Sequence, residues 1–313
     1  MCKGVSRREF FKRGIGIGLA GGVFASLPSF MWAALDGSDP EGPEVVVVKG
    51  DVVSAVKAAL AHLGGMDAFV KPGDRVVIKP NLSFANPPDR ATTTAPELMR
   101  AVAQLCVEAG AKRVLVIDHT IHDVKLCMDR TGIRPALKGL DNVVLFPLTE
   151  RRFFQEVEVP KGRELKKVEV AREVLRADCF IAMPVAKSHS ATGISLSLKG
   201  MLGVVWDRRA FHEKMELNQA LADLGTVVRS DLTIIDATRA LQTRGPNGPG
   251  RVAKLDTIVA SRDPLAADSY AVGLTTWYNR RFTGRQVKHL LDAYEMGLGE
   301  IDVERMQIKE IRV

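Results

Sequence analysis

Between residues 183 and 203 the chain reads MPVAKSHSATGISLSLKGMLG. Five polar side chains, Lys187, Ser188, His189, Ser190 and Thr192, stand between two apolar runs, and a further lysine, Lys199, lies inside the second run. Ammonium groups and an imidazole grouped in this way suit an anion: lysines hold a carboxylate or phosphate, and a histidine can pass a proton near neutral pH. Three other stretches end in residues of the same kind. VVIKPNL carries Lys79, Pro80 and Asn81, KRVLVID ends in Asp118 with His119 next, and DLTIIDAT carries Asp236. Thr92, Thr93 and Thr94 stand just before the expected start of a helix, where hydroxyls and the helix dipole favour a negative charge. The candidate proton-transfer groups are therefore His189, Asp118 and Asp236. The candidate ligand-binding groups are Lys79, Asn81, Thr93, Thr94, Lys187, Ser190 and Lys199. Each has a plainer counterpart: a solvated turn, a loop lysine, a hydrogen-bonded structural histidine, or an aspartate capping a turn.

Other residues offer weaker openings. His119 and His122 are three apart and would share a metal only if they lay on one helix, for which the sequence gives no sign. His212, in WDRRAFHEK, suits a solvated face or, with Asp207, a flap over the site. GPNGPG at 245–250 reads as a loop, or as a glycine cradle for phosphate, although no Walker pattern is present. No G-x-S-x-G elbow occurs, so a serine hydrolase is not indicated. Cys2, Cys106, Cys127 and Cys179 form no C-x-x-C pair. Cys106 and Cys179 sit in apolar surroundings, and a disulfide between two of the last three stays open.

Strand ends can meet only if the intervening elements bring them to one side. EVVVVKG reads as a strand, and residues 51–63 place Val52, Val56, Leu60 and Leu63 on one helical face. RVVIKP is a second strand. TAPELMRAVAQLCVEAG is a helix with a capping-box pattern at Thr94 and Glu97, Pro96 in its first turn and Gly110 at its end. KRVLVID is a third strand, and the strand–helix–strand order favours parallel neighbours. Residues 141–172 hold short apolar pieces, NVVLFPL and FQEVEV, that suggest antiparallel edge strands or an inserted subdomain. ADCFIAMP, DLTIIDAT and LDTIVAS are further strands, GISLSLKGMLGVV is a helix or an irregular apolar segment, Asp263-Pro264 starts a helix, and RMQIKEIRV closes the chain. The expectation is an α/β fold with a mixed, mostly parallel sheet and flanking helices, in one lobe or two. In open sheets of this kind ligands bind beyond the carboxyl ends of the strands.

The 313 residues are 46% hydrophobic and 26% charged, a globular composition. The net charge of +7 is unevenly placed. Lys3, Arg7, Arg8, Lys12 and Arg13 against Glu9 put +4 in the first 34 residues, which leaves an ordinary +3 for the rest. Aromatic residues are few and are not interleaved with basic ones, so nucleic acid is not an expected partner. SRREFFKRG, followed by an uncharged glycine- and alanine-rich run to Leu35, resembles a twin-arginine (Tat) export signal. The Tat translocase is then a partner during export, and the expected location is periplasmic or otherwise extracytoplasmic. Small residues are poorly placed for cleavage near Met31-Trp32-Ala33-Ala34, and the run is close to the roughly 20 residues that span a bilayer. Membrane anchoring by an uncleaved signal therefore stays open. The expected organisation is a signal or anchor over 1–35, a linker over 36–44 and an α/β domain over 45–313.

Four blocks in order, VVIKPNL, TTTAPELMRAVAQLCVEAGAKRVLVID, MPVAKSHSATGISLSLKGMLGVV and DLTIIDAT with IVASRDPLAADSYAV, resemble the domain of unknown function 362 family. The resemblance covers most of residues 45–275. It rests on Lys79-Pro80-Asn81, on threonines before Pro96-Glu97, on Lys187 and His189 ahead of Lys199 and Gly203, and on Asp263, Pro264, Ala266 and Asp268. It implies that the lysine–histidine segment is a site rather than a spacer. Some relatives carry a ferredoxin-like segment with clustered cysteines. This chain has no such iron–sulfur motif, and its cofactor is unknown. The reading is of an exported protein that binds or converts a small anionic metabolite. The alternative is a non-catalytic accessory or metal-binding protein of an extracytoplasmic redox system.

Overall fold

The computed structural model describes residues 44–313. The expected export signal, the expected linker and Cys2 lie outside the described residues, apart from Glu44. The order of elements is β1 (Val45–Lys49), α1 (Val52–His62), β2 (Arg75–Pro80), α2 (Pro96–Glu108), β3 (Arg113–Asp118), α3 (Val124–Arg130), α4 (Ile133–Leu137) and β4 (Val143–Pro147). Next come β5 (Phe154–Glu158), β6 (Lys167–Ala171), α5 (Arg172–Leu175), β7 (Cys179–Met183), β8 (Val185–His189), β9 (Gly193–Ser195), α6 (Ser197–Gly200), α7 (Arg208–Glu213) and α8 (Leu217–Gly225). The chain closes with β10 (Leu232–Leu241), β11 (Val252–Ser261), α9 (Pro264–Val272), α10 (Lys288–Glu295) and β12 (Ile308–Arg312).

The main sheet runs β12-β1-β11-β10-β7-β2-β3-β4, with β8 and then β9 branching from β10. Strands β4, β3, β2, β7 and β10 are parallel neighbours, while β11 lies antiparallel to both β10 and β1. The period of two along each strand sorts the apolar side chains between two layers. Val46, Val48, Val76, Ile78, Val114 and Val116 face α1 and α2, meeting Val56, Leu60, Leu98 and Val102. Their neighbours face the other way. Val45, Val47 and Val259 pack on Leu265 of α9 and Leu290 of α10, and Val77, Leu115 and Ile117 pack with Leu221 and Leu224 of α8. Both faces are covered, which is why these strands read as unbroken runs of β-branched residues.

Two local expectations fail for identifiable reasons. Thr94 does not cap α2. Its Oγ1 accepts from Asn81 N at 2.9 Å and donates to Met183 O at 2.7 Å, and the helix starts at Pro96 behind Ala95. The orphan donor there, Ala95 N, goes instead to Asp236 Oδ2 at 2.7 Å, from a strand 141 residues away. NVVLFPL is an edge strand, but a parallel one on β3. Antiparallel pairing appears one step later, where β5 and β6 form a small separate sheet.

Candidate anion site at the strand ends

Parallel register sets Lys79 beside Ala182 of β7, and Ile78 beside Val116 of β3. Lys79 and Asp118 therefore emerge at the same edge of adjacent strands. Pro184 then breaks the edge: β7 pairs with both β2 and β10, whereas β8 continues along β10 and pairs with β9 on its other side. The chain thus leaves β2 at this point, and Asn81 bridges the gap by accepting from Val185 N at 3.0 Å.

Lys79 Nζ and Asp118 Oδ1 are 3.4 Å apart and both side chains are almost wholly buried. That is long for a charge-assisted hydrogen bond. Asp118 Oδ2 is better served, accepting from Leu82 N at 2.7 Å and Ser83 Oγ at 3.3 Å. Gly203 covers the pair from above. A Cβ there would stand 2.1 Å from Asp118 Oδ1 and 2.5 Å from Lys79 Cε, so glycine alone fits. Four residues earlier, Lys199 lies on the turn that delivers this glycine. Its helix, α6, is fixed by buried Asp268, which accepts from Ser197 N, Ser197 Oγ and Leu198 N at 2.7–2.9 Å.

Lys187 donates to Thr92 O at 2.8 Å and stands over the Phe84 ring. Burial pulls its amine down to about 7, helped by the charge of Lys79 and opposed by Asp118. Burial, with Lys79 and Arg208, pulls Lys199 to about 7 as well. Arg208 of α7 joins through hydrogen bonds to His119 O and to Thr120 O, the latter at 2.6 Å. His189 is driven down to about 2 by burial and then by Lys199, Lys187 and His212, so its imidazole is neutral. Its Nδ1 accepts from Ala191 N at 3.1 Å, which places the proton on Nε2. His212 of α7 stacks on it with ring centres 6.1 Å apart. The cluster thus gathers basic side chains whose charge burial disfavours, with Asp118 as its opposing carboxylate.

Three buried side-chain atoms among the described residues have no hydrogen-bond partner: Thr93 Oγ1, Asp118 Oδ1 and His289 Nδ1. Asp118 is in the cluster, Thr93 follows the residue that receives Lys187, and His289 is close enough for Lys199 to lower its pKa. Unsatisfied buried polar atoms are uncommon in folded proteins. Asp118 Oδ1 is the one that belongs to the cluster itself.

Residues 76–273 match the model of a domain of unknown function, DUF362. The chain belongs to this family. It is 30% identical over 226 residues to the thylakoid-associated protein sll1697 of Synechocystis sp., a match covering 70% of this chain and 68% of that protein. Among solved structures it is similar to the lactate racemase apoprotein of Thermoanaerobacterium thermosaccharolyticum, with a TM-score of 0.45 at 12% identity. That match covers 72% of this chain and 56% of the racemase chain, so this protein spans just over half of that structure.

In this DUF362 protein the expected residues divide into two groups. Lys79, Asp118, Lys187, His189 and Lys199 come together. Asn81, Thr94 and Asp236 stand at the same edge but are occupied: Asp236 also accepts from Thr238 N and Thr238 Oγ1, and Asn81 and Thr94 cross-link β2, β7 and β8. Thr93 is buried beside them. Ser190 is exposed in the β8–β9 turn, where its N–H donates to Gly245 O at 3.2 Å. The GPNGPG loop is used internally: Gly245 N donates to Ser188 Oγ and Asn247 receives Asn86.

His119 stacks on Trp206 and bonds Val205 O through Nδ1, while His122 Nδ1 accepts from Ala85 N. Among the described residues no three His, Cys, Asp or Glu side chains gather as a metal site. Two surface hollows, one of 430 Å³ beside Tyr270 and Leu274 and one of 330 Å³ beside Thr243 and Arg251, include none of the cluster residues. The 3₁₀ turn Met201–Val204 and α7 lie over the cluster instead. Arg208, Gly203, Asp268 and His289 complete the site, and sequence reasoning gave none of them a place in the chemistry. The D-P-x-A-x-D spacing was a signal for Asp268. His289 had none.

Proposed function

We propose that this DUF362 protein is exported and that it binds or converts a small anionic metabolite at the Lys79–Asp118–Lys187–Lys199 cluster. The observation that carries the reading is the gathering of buried amines near the Asp118 carboxylate, whose Oδ1 accepts no hydrogen bond, at the strand ends. A desolvated group of cations is unfavourable when empty and becomes favourable when an anion neutralises it. The orphan hydroxyl and carboxylate oxygens suit a ligand that also carries a hydroxyl or similar polar group. His189, neutral and with Nε2–H turned from its backbone contact, is a hydrogen-bond donor of this reading; Asp236, Asn81 and Thr94 position the elements around it.

Calorimetric titration with lactate, pyruvate and inorganic phosphate tests the binding. At least one of these anions binds, and Lys187→Gln lowers the affinity by about 10-fold or more, the worth of one charge-assisted hydrogen bond. A folded protein indifferent to all three anions would remove the proposal.

Export rests on SRREFFKRG, and the thylakoid-associated relative is compatible with a membrane-linked location. No helix among the described residues is long and apolar enough to cross a membrane. Anchoring therefore falls to the N-terminal signal if it is kept. Exchanging Arg7 and Arg8 together for lysine will leave the protein in the cytoplasm by cell fractionation; unchanged export by the double variant contradicts a twin-arginine route. The accessory-protein alternative draws on the same relative. It predicts co-purification with a membrane redox partner and no small ligand in native mass spectrometry.

A further inference from the structure

The three buried lysines have different surroundings. Lys79 faces the Asp118 carboxylate at 3.4 Å, and Lys187 is tied to Thr92 O at 2.8 Å. No hydrogen bond or ion pair from a described residue reaches the amine of Lys199. It is nonetheless firmly placed. Asp268 holds the start of α6 through two backbone N–H groups and a hydroxyl, and Gly203, one turn on, is packed against Asp118 and Lys79. The charged groups acting on Lys199 are Lys79 and Arg208, both cations, and Lys199 in turn acts on the imidazoles of His189 and His289. Nothing in that list stabilises an ammonium.

We propose that Lys199 is a nucleophile that forms an imine with the carbonyl carbon of a small carboxylate, such as a 2-oxo or aldehyde acid, whose carboxylate is held by Lys79 and Arg208. The inference rests on the anion-site reading above and names its substrate class. An amine beside other cations and away from water keeps its lone pair at neutral pH, and that lone pair attacks carbonyls. The Lys199 nitrogen bonds to the carbonyl carbon, and the C=O π pair moves to oxygen, which takes up a proton. The nitrogen gives up both its protons in the course of the reaction, a second proton reaches the new hydroxyl, and the oxygen departs as water as the C=N bond forms. No oxidant or reductant is needed. Lys79 serves the carboxylate because it already stands in an ion pair with Asp118, whose charge opposes the lowering of its amine by burial, whereas no carboxylate acts on Lys199.

The test is reductive trapping of the full-length protein with glyoxylate and sodium cyanoborohydride, read by intact mass and peptide mapping. The expected product is one carboxymethyl group per chain on Lys199, forming on the order of 100-fold faster than on exposed lysines such as Lys112, in keeping with its larger uncharged fraction. The Lys199→Arg variant, which keeps the charge, loses this fast label. If that variant does not fold, the map of the unaltered protein decides alone. Labelling spread over exposed lysines with none favoured at Lys199 overturns the proposal. Phosphate binding by calorimetry separates the two readings: binding without a Lys199 label removes the imine and keeps the anion site, and absence of both removes both.

Discussion

Replacing Lys199 by methionine will make the empty protein more stable at pH 6, by on the order of 3 kcal/mol. Lys199 is 7% exposed and has no compensating carboxylate of its own. Its amine is held near 7 in the fold, against 10.5 for a lysine in water. Below about 7 the lysine is protonated in both folded and unfolded chains, and the full cost of burying the charge falls on the fold. Between 7 and 10.5 the unfolded chain binds a proton that the folded chain does not, so raising the pH relieves that cost. The advantage of methionine is therefore largest at acidic pH and fades toward pH 10. Methionine keeps most of the side-chain volume, so little packing is lost. The same change should weaken anion binding by about 10-fold or more, because a charge-assisted contact disappears. Thermal melts from pH 6 to 10, paired with calorimetry, measure both. A variant destabilised at pH 6, or one whose difference from the parent does not vary with pH, contradicts this account of Lys199.

Asp118→Asn has the opposite sign. Its carbonyl oxygen can still accept from Leu82 N, but an amide N–H₂ or a neutral oxygen then faces Lys79 where a carboxylate stood. Lys79 is 3% exposed and has no other ion pair among the described residues. Leaving one partner of a buried pair uncompensated typically costs about 3–5 kcal/mol. Lys79 can escape part of that by releasing its proton, which burial already favours and Asp118 opposes. The loss is thus deepest at low pH and shrinks as pH rises. Urea unfolding at pH 6 and pH 9, with an unchanged m-value, gives the comparison. Equal stability of the two proteins at pH 6 would show that the pair is not holding Lys79 as an ammonium. A gain in stability on removing a cation, together with a loss on removing the anion, would be the pattern of a site kept for binding rather than for stability.

Much of this architecture was legible in the chain. Runs such as VVVV and VVIK have the length and β-branching of strands covered on both faces, and the strand–helix–strand order around TAPELMRAVAQLCVEAG called for the parallel β2–β3 pair that is found. Once those strands are parallel, Lys79 and Asp118 must emerge at one edge, and Lys187, His189 and Lys199 were singled out as interruptions of apolar sequence. What sequence could not give was which polar group serves the frame and which is left over. Thr94 and Glu97 fit a capping box locally, yet a longer-range donor, Asn81 N, claimed the threonine and Asp236 took over the helix start. Arg208 lies in WDRRAFHEK, where only Asp207 and His212 were considered, and His289 sits in a segment with nothing to mark it; tertiary packing brings both beside Lys199. β4 was misread as antiparallel because edge strands of either sense share the same short, half-apolar pattern.

The described cysteines have a consequence for where the chain can fold. Cys106, Cys127 and Cys179 are all buried thiols in no disulfide, and burial pushes the Cys106 and Cys127 thiols up, away from the reactive thiolate. The domain therefore asks nothing of an oxidase or an isomerase. It can reach its final form under reducing conditions and keep that form unchanged under oxidising ones.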